Sequence, residues 1–174
     1  MPWTKTRSKE NFALGLNLIV ATLPIILVGL LFSDLTESRS ANIDSIAWSN
    51  LLFAGLLFAA FKSSTQSKSL KELTLIAALI IGCFQAFAVF PGASRSGMAI
   101  TGALIIGLNL KDTSKFAFLL SVPTIFGALV LMLAKGAYSI ELSDMLIMLT
   151  GFFGSAVIAF ITIKSFLQFV EKIG

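Results

Sequence analysis

The feature that most constrains this chain is the spacing of its charges. Asn11 to Ser33 gives 23 residues without a charge, Ser45 to Phe61 gives 17, and Leu73 to Ser94 gives 22. After Arg95 come Ser96 to Leu110 with 15, Phe116 to Ala134 with 19, and Met145 to Ile163 with 19. A helix needs about 20 predominantly apolar residues to cross a bilayer core. Four of these stretches read as spans. Composition agrees: 56% of the 174 residues are hydrophobic and 13% are charged, with mean hydropathy +0.92, against about 25% charged in ordinary soluble domains. The expected fold class is all-α, a polytopic helical membrane protein, with residues 1–174 as a single integral-membrane domain.

The pair of stretches flanking Arg95 differs from the rest. Pro91-Gly92 interrupts it, and its second arm is short. Residues 73–110 therefore read as a hairpin, and the short arm favours a re-entrant one over two full spans. Loop charges set the orientation. Lys5, Arg7, Lys9, Lys62, Lys68, Lys71, Lys111, Lys115, Lys164 and Lys172 fall on one side. The opposite connections, 34–44 and 135–144, hold only Arg39 and Lys135 as cations, with Asp34, Glu37, Asp44, Glu141 and Asp144. The positive-inside rule places both termini in the cytoplasm and the hairpin tip on the far side. Trp3, Trp48 and Tyr138 fall near the expected interfaces, and Pro24 and Pro123 fall inside spans, where proline kinks helices.

The tip concentrates the chemistry. Proline removes a backbone donor and glycine frees the dihedrals, so a helix ends at Pro91-Gly92. Ser94 is a suitable N-cap for a new helix starting near Arg95. The unpaired N–H groups and positive dipole end of that helix suit an anion. Arg95 adds a planar, permanently charged fork that matches phosphate oxygens. Ser94, Ser96 and Thr101 supply hydroxyls, and Gln85, the single amide in the first arm, either lines the site or bonds to another helix. The competing reading makes Pro-Gly a plain turn and Arg95 a snorkelling side chain. Other chemistry is excluded. With no histidine and one cysteine, Cys83, the chain builds no Ser-His-Asp triad, Cys/His metal cluster or disulfide framework. Gly92-x4-Gly97 is followed by Met98-Ala99 where a P-loop needs Lys-Ser/Thr. Ser96, Ala99, Ala103 and Gly107 form a small-residue face that lets a neighbouring helix approach.

The run Ile81 to Gly97, with Pro-Gly-x-Ser-Arg-Ser at Pro91–Ser96, resembles the undecaprenyl pyrophosphate phosphatases, the bacitracin-resistance membrane proteins. The similarity continues through Phe116–Pro123, Ile161–Gln168 and the Pro24-centred first span. The resemblance implies an inverted-repeat fold with re-entrant hairpins, in a bacterial plasma membrane. It implies hydrolysis of undecaprenyl diphosphate to the monophosphate, recycling the carrier lipid of cell-wall synthesis. It makes Ser94, Arg95 and Ser96 diphosphate-binding together with Gly92, Gly97 and Thr101, Ser94 and Arg95 catalytic as well, and Pro91, Gly92 and Gly97 shapers of the loop. Thr101 stays near the site, since Ala99 stands where the signature has threonine. A divalent cation, Mg or Ca, is implied, with no metal ligand found in this chain. The family's Glu-x-x-x-Glu and His-containing motif belongs to an N-terminal half that these residues do not contain, and its last helix is also missing. The chain thus reads as one portion of the family, inactive alone. Expected partners are the lipid diphosphate, the membrane and the missing half, with homodimerisation open and no nucleic acid. The alternative function is a non-catalytic lipid-phosphate binder or transporter half.

Overall fold

The computed structural model describes residues 2–31, 42–134 and 142–173. Of the residues used for orientation, Asp34, Glu37, Arg39, Lys135 and Glu141 lie outside the described residues. So do Tyr138 and the side chains of Trp3, Lys5 and Arg7.

The described residues form helices α1 (Pro2–Leu31), α2 (Ile43–Ser63), α3 (Leu75–Ala86), α4 (Arg95–Ile105), α5 (Leu110–Ala134) and α6 (Leu142–Ile173). Single 3-10 turns occur at Leu70–Glu72 and Phe87–Val89. Four segments are long and apolar enough to cross a membrane: Lys9–Leu31, Ile43–Ser63, Leu110–Ala134 and Asp144–Lys172. They coincide with the four charge-free stretches, and each begins before its stretch does. A lysine limits the hydrocarbon-buried length without breaking the backbone ladder, because its stem can reach outward. The protein is an all-α polytopic membrane protein.

By contact the chain divides into two compact units, Met1–Ile125 and Phe126–Gly174. In the second, α6 exposes Phe152, Phe153, Ile158 and Phe160 on several sides. Such an all-round apolar surface suits lipid and not water.

The first unit holds the core, built from small residues and a few large ones: Ala21, Ala78, Ile81, Ala99, Ala103, Phe116 and Leu120. Lipid tails are as apolar as leucine, so helices in a membrane associate by close packing more than by water exclusion. At Gly82 of α3 an added Cβ would overlap the Ala21 backbone of α1, with Ala21 C at 2.8 Å. At Gly102 of α4 it would sit 2.9 Å from Phe84 Cβ and 3.2 Å from Ile81 Cα. These glycines bring α1, α3 and α4 together. The buried Asn17 side chain adds a 2.9 Å bond from Nδ2 to Leu73 O.

α3 and α4 pack against each other as two arms joined through Pro91-Gly92. The first arm is shorter than its 22-residue charge-free stretch. Thr74 caps α3, accepting from Ala77 N at 3.3 Å, and the helix runs only 12 residues. α4 has 11. The base is closed by Lys68 N donating to Gly107 O and Asn109 N donating to Lys68 O, both at 2.9 Å. Ser64 Oγ donates to Leu104 O at 2.6 Å. Lys68 Nζ reaches Ile106 O at 2.9 Å, a favourable place for a cation because α4 ends there. Asn109 and Asp112 cap α5 reciprocally, Asp112 N donating to Asn109 Oδ1 at 2.9 Å and Asn109 Nδ2 to Asp112 Oδ2 at 3.1 Å.

Candidate anion site at the hairpin tip

The tip is shaped by local chemistry. Phe90 N donates to Phe87 O and Ala93 N to Phe90 O, each at 3.0 Å, which turns the chain back. Gly92 sits at φ +92°, a left-handed conformation that glycine adopts without penalty. Ser94 is the N-cap of α4, with φ −69° and ψ 123°, and its Oγ accepts from Gly97 N at 3.2 Å. Gly97 makes this approach easy: a Cβ there would stand 3.1 Å from Ser94 Cβ and 3.3 Å from its Oγ.

The structure brings Ser94, Arg95 and Ser96 together at the first turn of α4. Ser94 and Arg95 are exposed, while Pro91, Gly92, Ser96 and Gly97 are half-buried. Ser94 Oγ and Ser96 Oγ lie 3.4 Å apart. Arg95 makes no hydrogen bond or ion pair among the described residues. The N–H groups of Arg95 and Ser96 likewise find no acceptor there. A free guanidinium, two hydroxyls and two open N–H groups at a helix start are groups of the kind that can bind an oxyanion.

Two expected site residues lie elsewhere. Thr101 is fully buried and donates to Gly97 O at 2.8 Å. Two turns down the helix from Ser94, it belongs to the core. Gln85, 1% exposed, donates from Nε2 to Thr124 Oγ1 on α5 at 2.8 Å. Of its two readings, the structure gives the interhelical bond.

Sequence reasoning passed over α2. A Cβ on Gly92 would stand 2.7 Å from Ile46 O, 2.9 Å from Ser49 Cβ and 3.4 Å from Asn50 N. Ser49-Asn50 is an adjacent uncharged polar pair inside the second apolar stretch. For a cation the residues do not fit: among the described residues no three of His, Cys, Asp or Glu come close enough to hold a metal ion.

Comparison with known proteins decides the family. Residues 2–174 match the bacitracin resistance protein BacA family. The chain belongs to that family. An undecaprenyl-diphosphatase of Teredinibacter turnerae is 42% identical to this BacA-family chain over 170 residues, covering 95% of the chain and 62% of the relative. One from Acetivibrio thermocellus is 32% identical over 169 residues, with 94% and 62% covered. One from Methanococcus maripaludis is 38% identical over 135 residues, with 78% and 54% covered. The chain thus spans less than two thirds of the length of these relatives.

Proposed function

We propose that this chain carries the headgroup clamp of an undecaprenyl-diphosphatase, which converts undecaprenyl diphosphate and water to undecaprenyl phosphate and phosphate. The observation that carries this reading is Arg95, exposed and unpaired among the described residues at the capped start of α4. In diphosphate cleavage negative charge builds on non-bridging oxygens, and preorganised donors aimed there lower the barrier. Arg95 supplies a bidentate fork. The Ser94 hydroxyl accepts from Gly97 N and keeps its own proton to donate to a phosphate oxygen. The open N–H groups of α4 complete the receptor.

A divalent cation, implied by family resemblance, has no ligand set among the described residues. The ligands and the proton acceptor are assigned to the part of the relatives that this chain does not match. The setting is a bacterial plasma membrane, with both termini cytoplasmic and the hairpin re-entrant from the opposite side, as the loop charges support. A second copy of the chain is a further proposed partner.

Phosphate release from undecaprenyl diphosphate tests the reading. The chain alone should work at background rate, and co-expression with the N-terminal residues of a relative should restore turnover that Arg95→Ala removes. Full turnover by Arg95→Ala would overturn the assignment. The rival reading, a non-catalytic lipid-phosphate binder, draws on the lack of histidine and of a metal-ligand cluster among the described residues. It predicts binding without phosphate release in either arm.

A further inference from the structure

α2 meets the hairpin along one stripe. Ile46, Ser49, Phe53, Leu57 and Ala60 are half-buried or buried, whereas most of their neighbours on the helix are exposed. They recur at i, i+3, i+7, i+11 and i+14, one face of a helix. Four of the five are apolar, as a packing seam requires. Ser49 is not, and its Cβ would stand 2.9 Å from a Cβ on Gly92, next after Ile46 O at 2.7 Å. Next to it, at the exposed edge of the stripe, is Asn50.

These two polar groups lack partners. Neither the Ser49 hydroxyl nor the Asn50 amide makes a hydrogen bond among the described residues. The contrast lies along the same helix, where Ser63 returns its hydroxyl to Ala59 O at 2.9 Å. Serine in an apolar helix ordinarily makes that i−4 bond. Asn50 lies seven residues past the start of α2, about 10 Å along the axis. Asn50 is exposed there, so its amide is open to a polar group beside the helix.

The tip is within reach. Consecutive Cα atoms are about 3.8 Å apart, so Ser94 Cα lies at most about 7.6 Å from Gly92 Cα. Ser49 Cβ is in contact distance of Gly92. A group bound by Ser94 and Arg95 would therefore have α2 beside it, with a hydroxyl and an amide available to donate.

We propose that Ser49 and Asn50 form a second wall of the headgroup site, donating hydrogen bonds to phosphate oxygens of an isoprenyl diphosphate that Arg95 clamps. This rests on the reading of the tip as the headgroup receptor. The wall ties recognition to two helices, so the headgroup is held between α2 and α4 and not on α4 alone.

Binding by the chain in detergent tests this, with farnesyl diphosphate as probe, farnesol as tail control and inorganic diphosphate as headgroup control. Ser49→Ala and Asn50→Leu should each weaken farnesyl diphosphate binding about tenfold, the usual effect of losing one hydrogen bond to a charged group. Farnesol binding should not change, and inorganic diphosphate should show the same loss as the lipid. A purely structural role would weaken farnesol and farnesyl diphosphate alike, and that result would overturn the proposal. If Asn50→Leu does not fold, Asn50→Gln with Ser49→Ala carries the test. Arg95→Ala separates the two levels. If it abolishes binding while Ser49→Ala and Asn50→Leu bind as the parent does, the wall is wrong and the clamp stands. If Arg95→Ala binds as the parent does, or the parent does not bind, both fall.

Discussion

Gln85 and Thr124 are joined by a buried 2.8 Å hydrogen bond, and the threonine passes its own proton to Leu120 O at 2.7 Å. The bond fastens the first arm of the hairpin to α5, one residue after the helix proline Pro123. Interhelical hydrogen bonds of this kind contribute about 0.6 kcal/mol on average and about 1.7 at most in membrane proteins. A double-mutant cycle with Gln85→Leu and Thr124→Val should give a coupling in that range. Thermal unfolding in detergent measures it. Additive single mutants would show that the bond does not hold the arm.

Gly82 should be far less tolerant than the glycines of α6. Its Cβ position falls on the Ala21 backbone, which cannot rotate away as a side chain would. Overpacking of this kind costs about 1–3 kcal/mol, and backbone contact puts Gly82→Ala at the upper end or beyond. Gly151→Ala and Gly154→Ala meet nothing within 4 Å, and alanine is the better helix former by up to about 1 kcal/mol. Those two should be neutral or slightly stabilising in the same melt. Equal losses at all three sites would contradict the α1–α3 packing.

The hairpin base carries a pH-sensitive turn. Ser69 donates to Glu72 Oε2 from its backbone N at 2.7 Å and from its Oγ at 3.0 Å. Those two bonds, with a smaller contribution from the Lys68 charge, hold the Glu72 carboxyl below its ordinary value of 4.5. A depressed carboxyl pKa stabilises the folded turn above the unfolded-state value, and the contribution is lost as pH falls through the folded value. The Ser69 N–H resonance should therefore hold its position at neutral pH and move only below about pH 4.5. Glu72→Gln should abolish that titration. A transition above pH 5 would mean that the carboxylate is not so bonded.

Orientation can be read by thiol labelling in a Cys83→Ala background. Cysteines introduced at Ser40 and Ser139, both outside the described residues, should react with a membrane-impermeant reagent added from outside. Ser67→Cys, in the lysine-bearing connection beside the hairpin base, should be protected until the cytoplasmic face is opened. The reverse pattern would invert the topology.

Four spans were legible because the bilayer core excludes charge, so charge positions bracket them. Helix ends were less so. α6 runs past Lys164, and α3 stops at Ala86 although the apolar run continues to Phe90. The Ser94 cap and the break at Pro91-Gly92 could be read locally, because each depends on its own backbone and on residues within one turn. What could not be read depends on partners far along the chain. Thr101 lies seven residues after Ser94, on the same helix face, yet two turns carry it from the tip into the core. Gln85 is 39 residues from Thr124, and no periodicity links them. Ser49 meets Gly92, 43 residues further along the sequence, through a helix crossing that only the fold supplies.

Arg95 carries the proposed clamp, and the swap to lysine is the sharpest test of it. Arg95→Lys keeps the positive charge but replaces a planar fork by a point charge, so the proposed clamp would lose one of two parallel bonds to phosphate. A hydrogen bond to a charged group contributes about 1.5–3 kcal/mol. At about 1.4 kcal/mol per decade, Arg95→Lys should weaken isoprenyl diphosphate binding roughly tenfold to a hundredfold. Arg95→Ala should cost more. Lys115→Ala, on the opposite side in the proposed topology, should leave the affinity unchanged, which controls for net charge. Stability separates clamp from scaffold. Arg95 is exposed and has no partner among the described residues, so neither substitution should shift the melting temperature appreciably. A snorkelling structural arginine would behave the other way, lowering the melting temperature while the folded fraction binds normally. Parent-like binding by a folded Arg95→Ala chain would remove the clamp from the tip.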